Sequence, residues 1–463
     1  MDYSNANTSL WNVIIQFGII AVVILLSNLL RRKVSFVRNS LMPTAVLAGF
    51  VLLIARATGI FDFDINFMEK LIYHGIALGF IAMSLRIPEK HAEDKGNLAG
   101  PKSGAIIIGS YLIQAIFGLA VSITLAYTLM PDMFKAAGIL LPMGYGQGPG
   151  QANNVGSTYE ANGFIGGRSF GLSLAAAGYL CACIIGVIAL NILAKKGKLK
   201  LVGGGAETMG SVNVDKYQDE GEIPVSESVD KFSIQVAFIL LVYLVTYLIT
   251  WAMTSALTAY LPGVAAMLNT LLWGFNFIVG SALAIVTRAI LKKLRGVKLM
   301  TRQYQNNYLL SRISGFFFDA MIVAGIASID IADLSGLWLP FVLMAVTGGI
   351  ITWYYLVWVC RKVYKGYFYE GLLSMYGMMT GTISSGILLL REIDPDFKTP
   401  AATNLITGSS FAIILGAPML VFIGMAWKTT AMTFVTLGLC IVYFILMSLF
   451  IFKVNIRKPK KSL

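Results

Sequence analysis

The reading turns on residues 134–154, Phe134-Lys135-Ala136-Ala137-Gly138-Ile139-Leu140-Leu141-Pro142-Met143-Gly144-Tyr145-Gly146-Gln147-Gly148-Pro149-Gly150-Gln151-Ala152-Asn153-Asn154. The limb from Phe134 to Met143 is apolar, yet as a helix it reaches only about 15 Å, roughly half of a bilayer core. The run Gly144 to Gly150 then breaks the helix, since each interior Gly costs about 1 kcal/mol and Pro about 3 kcal/mol. A polar return limb follows, with Gln151, Asn153, Asn154, Ser157 and Thr158. Such a segment is too apolar for water and too short to span. Non-helical backbone at membrane depth is tolerated only where it is buried in protein or lines a cavity, so 134–159 reads as a re-entrant hairpin.

The surrounding sequence sets that hairpin in a membrane. Of the 463 residues 57% are hydrophobic and only 13% are charged, too few to cover a soluble surface of this size. Apolar runs of spanning length fall at 12–30, 41–60, 72–87, 103–130, 164–194, 232–257, 262–290, 307–331, 336–360, 400–425 and 429–453, which predicts about eleven transmembrane helices besides the re-entrant segments. The net charge of +13 does not point to nucleic acid, because most Lys and Arg cluster between apolar runs on one predicted side. By the positive-inside rule the N-terminus is then outside and the C-terminus cytoplasmic. The first run has no basic flank or small-residue cleavage site before it and reads as a retained span, not a signal peptide. The four cysteines all lie in or at the end of apolar runs and read as small hydrophobes. With only two histidines, no structural metal or other cofactor is expected.

The polar insert 195–231, with Gly203-Gly204-Gly205 and Asp219-Glu220-Gly221-Glu222, reads as a flexible cytoplasmic linker. It divides the chain into an N-terminal repeat, 1–194, and a C-terminal repeat, 232–463. An odd number of spans in the first half makes the second enter from the opposite side, the signature of inverted repeats. The second half has its own short segment, 367–393. There a limb from Tyr367 to Tyr376 precedes Gly377-Met378-Met379-Thr380-Gly381-Thr382-Ile383-Ser384-Ser385-Gly386, and the return limb Ile387 to Ile393 follows. The expected architecture is an all-α polytopic membrane protein with two inverted repeats and paired re-entrant hairpins, one opening outside and the other inside.

Broken segments at corresponding places in two halves point to a transport site. Helix N-termini there suit an anion, and freed carbonyls suit a sodium ion. Gly146, Gly148 and Gly150, with Pro149 between them, would let a ligand approach the backbone; Gln147, Gln151, Asn153 and Asn154 offer amide dipoles. Across from them Thr380, Thr382, Ser384 and Ser385, around Gly381, supply oxygen ligands that hard cations prefer. Ionisable residues inside spans default to a functional reading. Asp319, near the middle of 307–331, is the main candidate, and Arg312 lies seven residues earlier on the same helical face. His74 precedes a small-residue pattern, Gly75 to Ala82, similar to Ala320 to Ala327, and reads as a buried, hydrogen-bonded histidine. An intramembrane enzyme would need a nucleophile or metal constellation, and the sequence offers none. A two-half pore would want a repeated filter sequence, and the two hairpin tips differ.

Three features resemble the bacterial glutamate:sodium symporter family. Pro43 with Val46, Ala48 and Gly49 is similar to its small-residue-rich second helix. Gly146-Gln147-Gly148-Pro149-Gly150-Gln151-Ala152, with the approach to Gly163-Phe164, resembles its first re-entrant motif. Tyr369-Glu370 followed by Gly377 to Gly386 resembles the second. The resemblance implies sodium-coupled symport of glutamate or a related small anion by a homodimer in the bacterial inner membrane, among membrane lipid, with sodium as coupling ion. A different small organic anion, with sodium or proton coupling, is the alternative. The chain departs from the family at Gln147, where His is usual, at Pro149, where a small hydroxyl residue is usual, and near Ser384, where the family has Pro. Its final span, with the tail Arg457-Lys458-Pro459-Lys460-Lys461, is additional.

Overall fold

The computed structural model describes residues 3–4, 7–35, 37, 41–87, 99–199, 230–260, 269, 272–300, 302–394 and 399–453. Most of the linker predicted at 195–231 lies outside the described residues, as does the start of the run 262–290. What is described is helical: α1 (Thr8–Lys33), α2 (Thr44–Ala57), α3 (Ile65–Leu85), α4 (Ala99–Tyr127), a 3-10 turn (Lys135–Ile139), α5 (Leu140–Tyr145), α6 (Pro149–Glu160), α7 (Gly167–Lys195), α8 (Lys231–Tyr260), α9 (Asn276–Gly296), α10 (Asn307–Ala327), a second 3-10 turn (Ala332–Leu334), α11 (Trp338–Val363), α12 (Phe368–Thr380), α13 (Ile383–Arg391), α14 (Ala401–Leu415), α15 (Ala417–Ala426) and α16 (Thr430–Lys453).

Eight of these helices are long and apolar enough to cross a membrane, and the α14–α15 pair, bent by 56° at Gly416, brings the number to nine if the pair is counted as one span. The other two predicted runs are represented by α2, with 14 residues, and by α9, whose last turns carry Arg288, Lys292, Lys293 and Arg295. Helical structure is what lipid demands, because each backbone N–H and C=O finds its partner within its own segment.

The chain divides into two compact units. The first comprises Met1–Ile72, Ala92–Gly203 and Ile322–Leu463. Its centre is α4 and α7, whose apolar windows are 67% and 61% buried, whereas those of α1 and α16 are 22% buried. α4 packs on α11, α14 and α16. The α4–α14 contact is close because Gly104 faces Gly408 and Gly408 faces Ser103, the small-residue seam that brings helix backbones together in lipid. On α2 the small-residue face serves the same purpose: a Cβ on Gly49 would lie 2.7 Å from Cβ of Ile326.

Polar contacts gather near helix ends in this unit. Arg56 pairs with Asp330 at 3.3 Å, Arg168 pairs with Glu69, and Ser169 donates to Asp333 at 2.8 Å. Asn12 donates to Asp64, just ahead of α3, at 2.6 Å.

The second unit comprises Tyr73–His91 and Gly204–Met321. Its core joins Ile81, Leu85, Ile239, Val242, Ala284 and Leu310 from α3, α8, α9 and α10. The carbonyls that end α3 have no intrahelical partner and are met by side chains instead. Arg288 donates to those of Ser84 and Arg86, at 3.2 and 2.7 Å, and Gln305 to that of Leu85 at 2.9 Å.

Candidate functional site

The first predicted break is present and narrower than the glycine run suggested. The limb ahead of it is a 3-10 turn and six residues of α5, not one ten-residue helix. α5 continues through Gly144 and Tyr145, and the carbonyl oxygen of Pro142 accepts from the N–H groups of both Gly146 (3.0 Å) and Gln147 (3.2 Å). The chain turns at Gly148, where φ is +86° and ψ −174°, a region essentially restricted to glycine. Pro149 then opens α6 at the first helical position, where its missing N–H costs nothing.

The second break is shorter than the stretch Gly377 to Gly386 that the sequence sets between its two limbs: α12 continues to Thr380 and α13 begins at Ile383. Only Gly381 and Thr382 leave the helix. The flanking glycines serve packing instead: a Cβ on Gly377 would lie 2.8 Å from the Cα of Gly386. Two antiparallel limbs touch there, backbone to backbone.

These two breaks, more than 200 residues apart in sequence, face each other within the first unit. A Cβ on Gly148 would lie 3.8 Å from Cγ2 of Thr382 and 3.9 Å from the carbonyl oxygen of Gly381, with the Tyr179 hydroxyl at 3.7 Å. α7 passes close behind, and Gly178 admits the carbonyl of Thr380 against its backbone. α10 reaches the same place through Gly325, on which a Cβ would lie 2.6 Å from Cβ of Pro149. Two helices therefore end, and two begin, around one point. First-turn N–H groups and last-turn carbonyls without intrahelical partners are gathered there, with partial positive and negative charge respectively.

The side chains around the breaks are buried and under-used. Gln151 is 1% exposed, and neither its Oε1 nor its Nε2 has a hydrogen-bond partner among the described residues. The same holds for Oδ1 of Asn153, Oγ1 of Thr382 and Oγ of Ser385. Leaving a buried polar atom unpaired costs about 1–3 kcal/mol, so such a cluster suits a polar ligand. Thr380 is spent differently, since its hydroxyl donates to the carbonyl of Tyr376 at 2.8 Å. Gly150, Asn154 and Pro149 are buried and Gln147 is half-buried. The side chain of Ser384 lies outside the described residues.

Gln114 belongs to this site and was missed. It sits in the middle of α4, fully buried, and donates from Nε2 to the Thr352 hydroxyl (2.8 Å) and to the carbonyl of Met379 (2.9 Å). Its Oε1 is unpartnered and would lie 3.1 Å from a Cβ on Gly146. Gln114 thus touches both breaks. The signal was available, because it is the only amide in the apolar helix Ala99–Tyr127.

Asp319, Arg312 and His74 are in the second unit. Asp319 is exposed. Arg312 is also exposed, and its guanidinium lies 5.1 Å from the centre of the Tyr308 ring. His74 was expected to be buried and hydrogen-bonded; it is exposed and its Nδ1 lies 2.7 Å from the Tyr243 hydroxyl.

The described helices make the chain an α-helical membrane protein. No protein-family model matches it, and no curated protein matches it either.

Proposed function

We propose that the chain is a secondary active transporter that carries a small anionic solute through alternating access, coupled to sodium. The observation that carries this reading is the apposition of two helix breaks at Gly148 and Thr382, ringed by buried, unpartnered amide and hydroxyl groups. Helix N-termini supply positive ends for an anion, and helix C-termini supply carbonyls for a cation. Neutral dipoles hold both without a fixed charge that would trap either one.

On this reading the two hairpins belong to inverted repeats, 1–194 and 232–463, within about eleven spans. The protein sits in a bacterial inner membrane as a homodimer, with its N-terminus outside. Glutamate is the substrate suggested by the family resemblance at Gly146 to Ala152 and Gly377 to Gly386, and another small organic anion fits the same site. Asp319, in the second unit, is the ionisable group assigned to coupling.

Uptake of labelled glutamate into proteoliposomes under an imposed sodium gradient tests the assignment. Accumulation that collapses when the gradient is abolished supports it. Well-folded protein that takes up no glutamate removes glutamate, and a panel of other small carboxylates then tests the anion class. Currents far above a carrier's turnover would replace the transporter with a channel.

A further inference from the structure

The second unit contains a polar chain that the transport site does not use. The Tyr243 hydroxyl of α8 lies 2.7 Å from Nδ1 of His74 on α3, and Nδ2 of Asn276, the first residue of α9, donates to the same hydroxyl at 3.3 Å. An amide N–H can only donate, so the tyrosine oxygen accepts from Asn276, and its own O–H is available to Nδ1 of His74. When the O–H is given to Nδ1, that nitrogen is unprotonated and the neutral ring carries its hydrogen on Nε2. At the far end, Asn276 is 4% exposed and its Oδ1 has no partner among the described residues. The chain therefore ends in a spare acceptor.

On its own helix the His74 ring meets Tyr73 edge-on, with centroids 5.1 Å apart, and Tyr73 donates its hydroxyl to the carbonyl of Trp273 at 2.8 Å. α8 contributes Tyr243, and one turn on, its Tyr247 ring lies tilted against Trp273, with centroids 5.7 Å apart. α9 contributes the neutral Asn276, and its first cation, Arg288, is engaged with the end of α3. α10 presents Phe317 and Met321 to this helix at Gly75.

We propose that His74, Tyr243 and Asn276 form a proton-binding site in which loading reverses the direction of the hydrogen-bond chain. A proton from the aqueous phase adds to Nδ1 of His74, and the new N–H donates to the Tyr243 oxygen. The tyrosine hydrogen then swings to Oδ1 of Asn276 as the amide turns over. No heavy-atom bond forms or breaks, and the added charge rests on the imidazolium. The unpartnered oxygen is explained: it is the acceptor that the loaded state requires. This site stands apart from the transport reading and assumes nothing about a substrate.

With only two histidines in the chain, His91→Gln leaves His74 as the sole imidazole. The full-length His91→Gln protein, labelled with nitrogen-15 histidine and held in lipid, reports both ring nitrogens by magnetic resonance from about pH 4.5 to 9. The expected result is a neutral ring with hydrogen on Nε2 that titrates in one step to imidazolium. Adding Asn276→Leu, which removes the spare acceptor, lowers proton affinity about three- to tenfold. A neutral ring with hydrogen on Nδ1, a ring that stays neutral throughout, or an unchanged midpoint in the Asn276→Leu protein would each overturn the proposal. If that variant does not fold, the ring nitrogens of the His91→Gln protein alone decide it.

Discussion

Nε2 of Gln114 donates to the carbonyl oxygen of Met379 at 2.9 Å, so a side chain from the middle of α4 caps the last turn of a broken helix. The same nitrogen donates to Thr352 on α11. Three elements are pinned by one amide where lipid offers no replacement partner. Gln114→Leu should destabilise the protein by about 1–3 kcal/mol, because both acceptors are left buried without a donor. Thermal unfolding in detergent measures this, and an unchanged midpoint would mean that the two acceptors find other donors.

Gly148 and Gly178 should fail in different ways when changed to alanine. At Gly148 there is room, with the nearest atoms at 3.7 Å or beyond, but the backbone conformation is strained for any L side chain. The expected cost of Gly148→Ala is about 1–3 kcal/mol, together with loss of uptake as the turn shifts. Gly163→Ala is the control, since φ there is also positive, at +100°, with nothing nearby; it should lose stability and keep uptake. At Gly178 the methyl would collide with the Thr380 carbonyl. That backbone cannot yield without separating α7 from the second hairpin, so Gly178→Ala should be the most damaging of the three in folded yield.

Asp319→Asn tests function cleanly because the carboxylate is exposed and makes no hydrogen bond or ion pair with any described residue. Stability should change by less than about 0.5 kcal/mol, while sodium-dependent uptake falls. Equal uptake in parent and variant would take Asp319 out of the coupling step.

The Asn12–Asp64 contact predicts an acid response at the α1–α3 junction. The hydrogen bond from Asn12, supported by backbone N–H groups of Phe67 and Asn66, holds the Asp64 carboxyl below its ordinary value. A depressed carboxyl contributes stability above its unfolded pKa, about 3.9, and that contribution is lost as pH falls through the lower folded value. Asn12→Leu should therefore lower the thermal midpoint at neutral pH and flatten its fall on acidification. Parallel melting curves for the two proteins across the acid range would contradict this.

The first hairpin was legible in the sequence and the second only in outline. At Gly148-Pro149 a glycine at positive φ followed by a proline stops one helix from running into the next. Gly377 to Gly386 has no proline, and glycine there is ambiguous between loop and close helix contact. Gly377 lies against Gly386, which settles it as contact. Thr380 looked like a ligand by composition, yet its hydroxyl returns to its own helix at Tyr376, a bond that Thr forms readily inside a helix. Gln114 was passed over because an amide in a long apolar run is outvoted in any hydropathy window.

The sequence by itself determined the class of this protein and the presence of two interruptions in its apolar segments. Both follow from local physics: lipid accepts only internally bonded backbone, and glycine and proline weaken that bonding wherever they cluster. Only the tertiary structure decided that the interruptions shrink to Gly146–Gly148 and Gly381–Thr382, and that Gly148 and Thr382 face each other. The reason is one of range. Hydropathy acts over a window of about twenty residues, whereas close approach depends on small residues such as Gly178 and Gly325 being presented by helices distant in the chain.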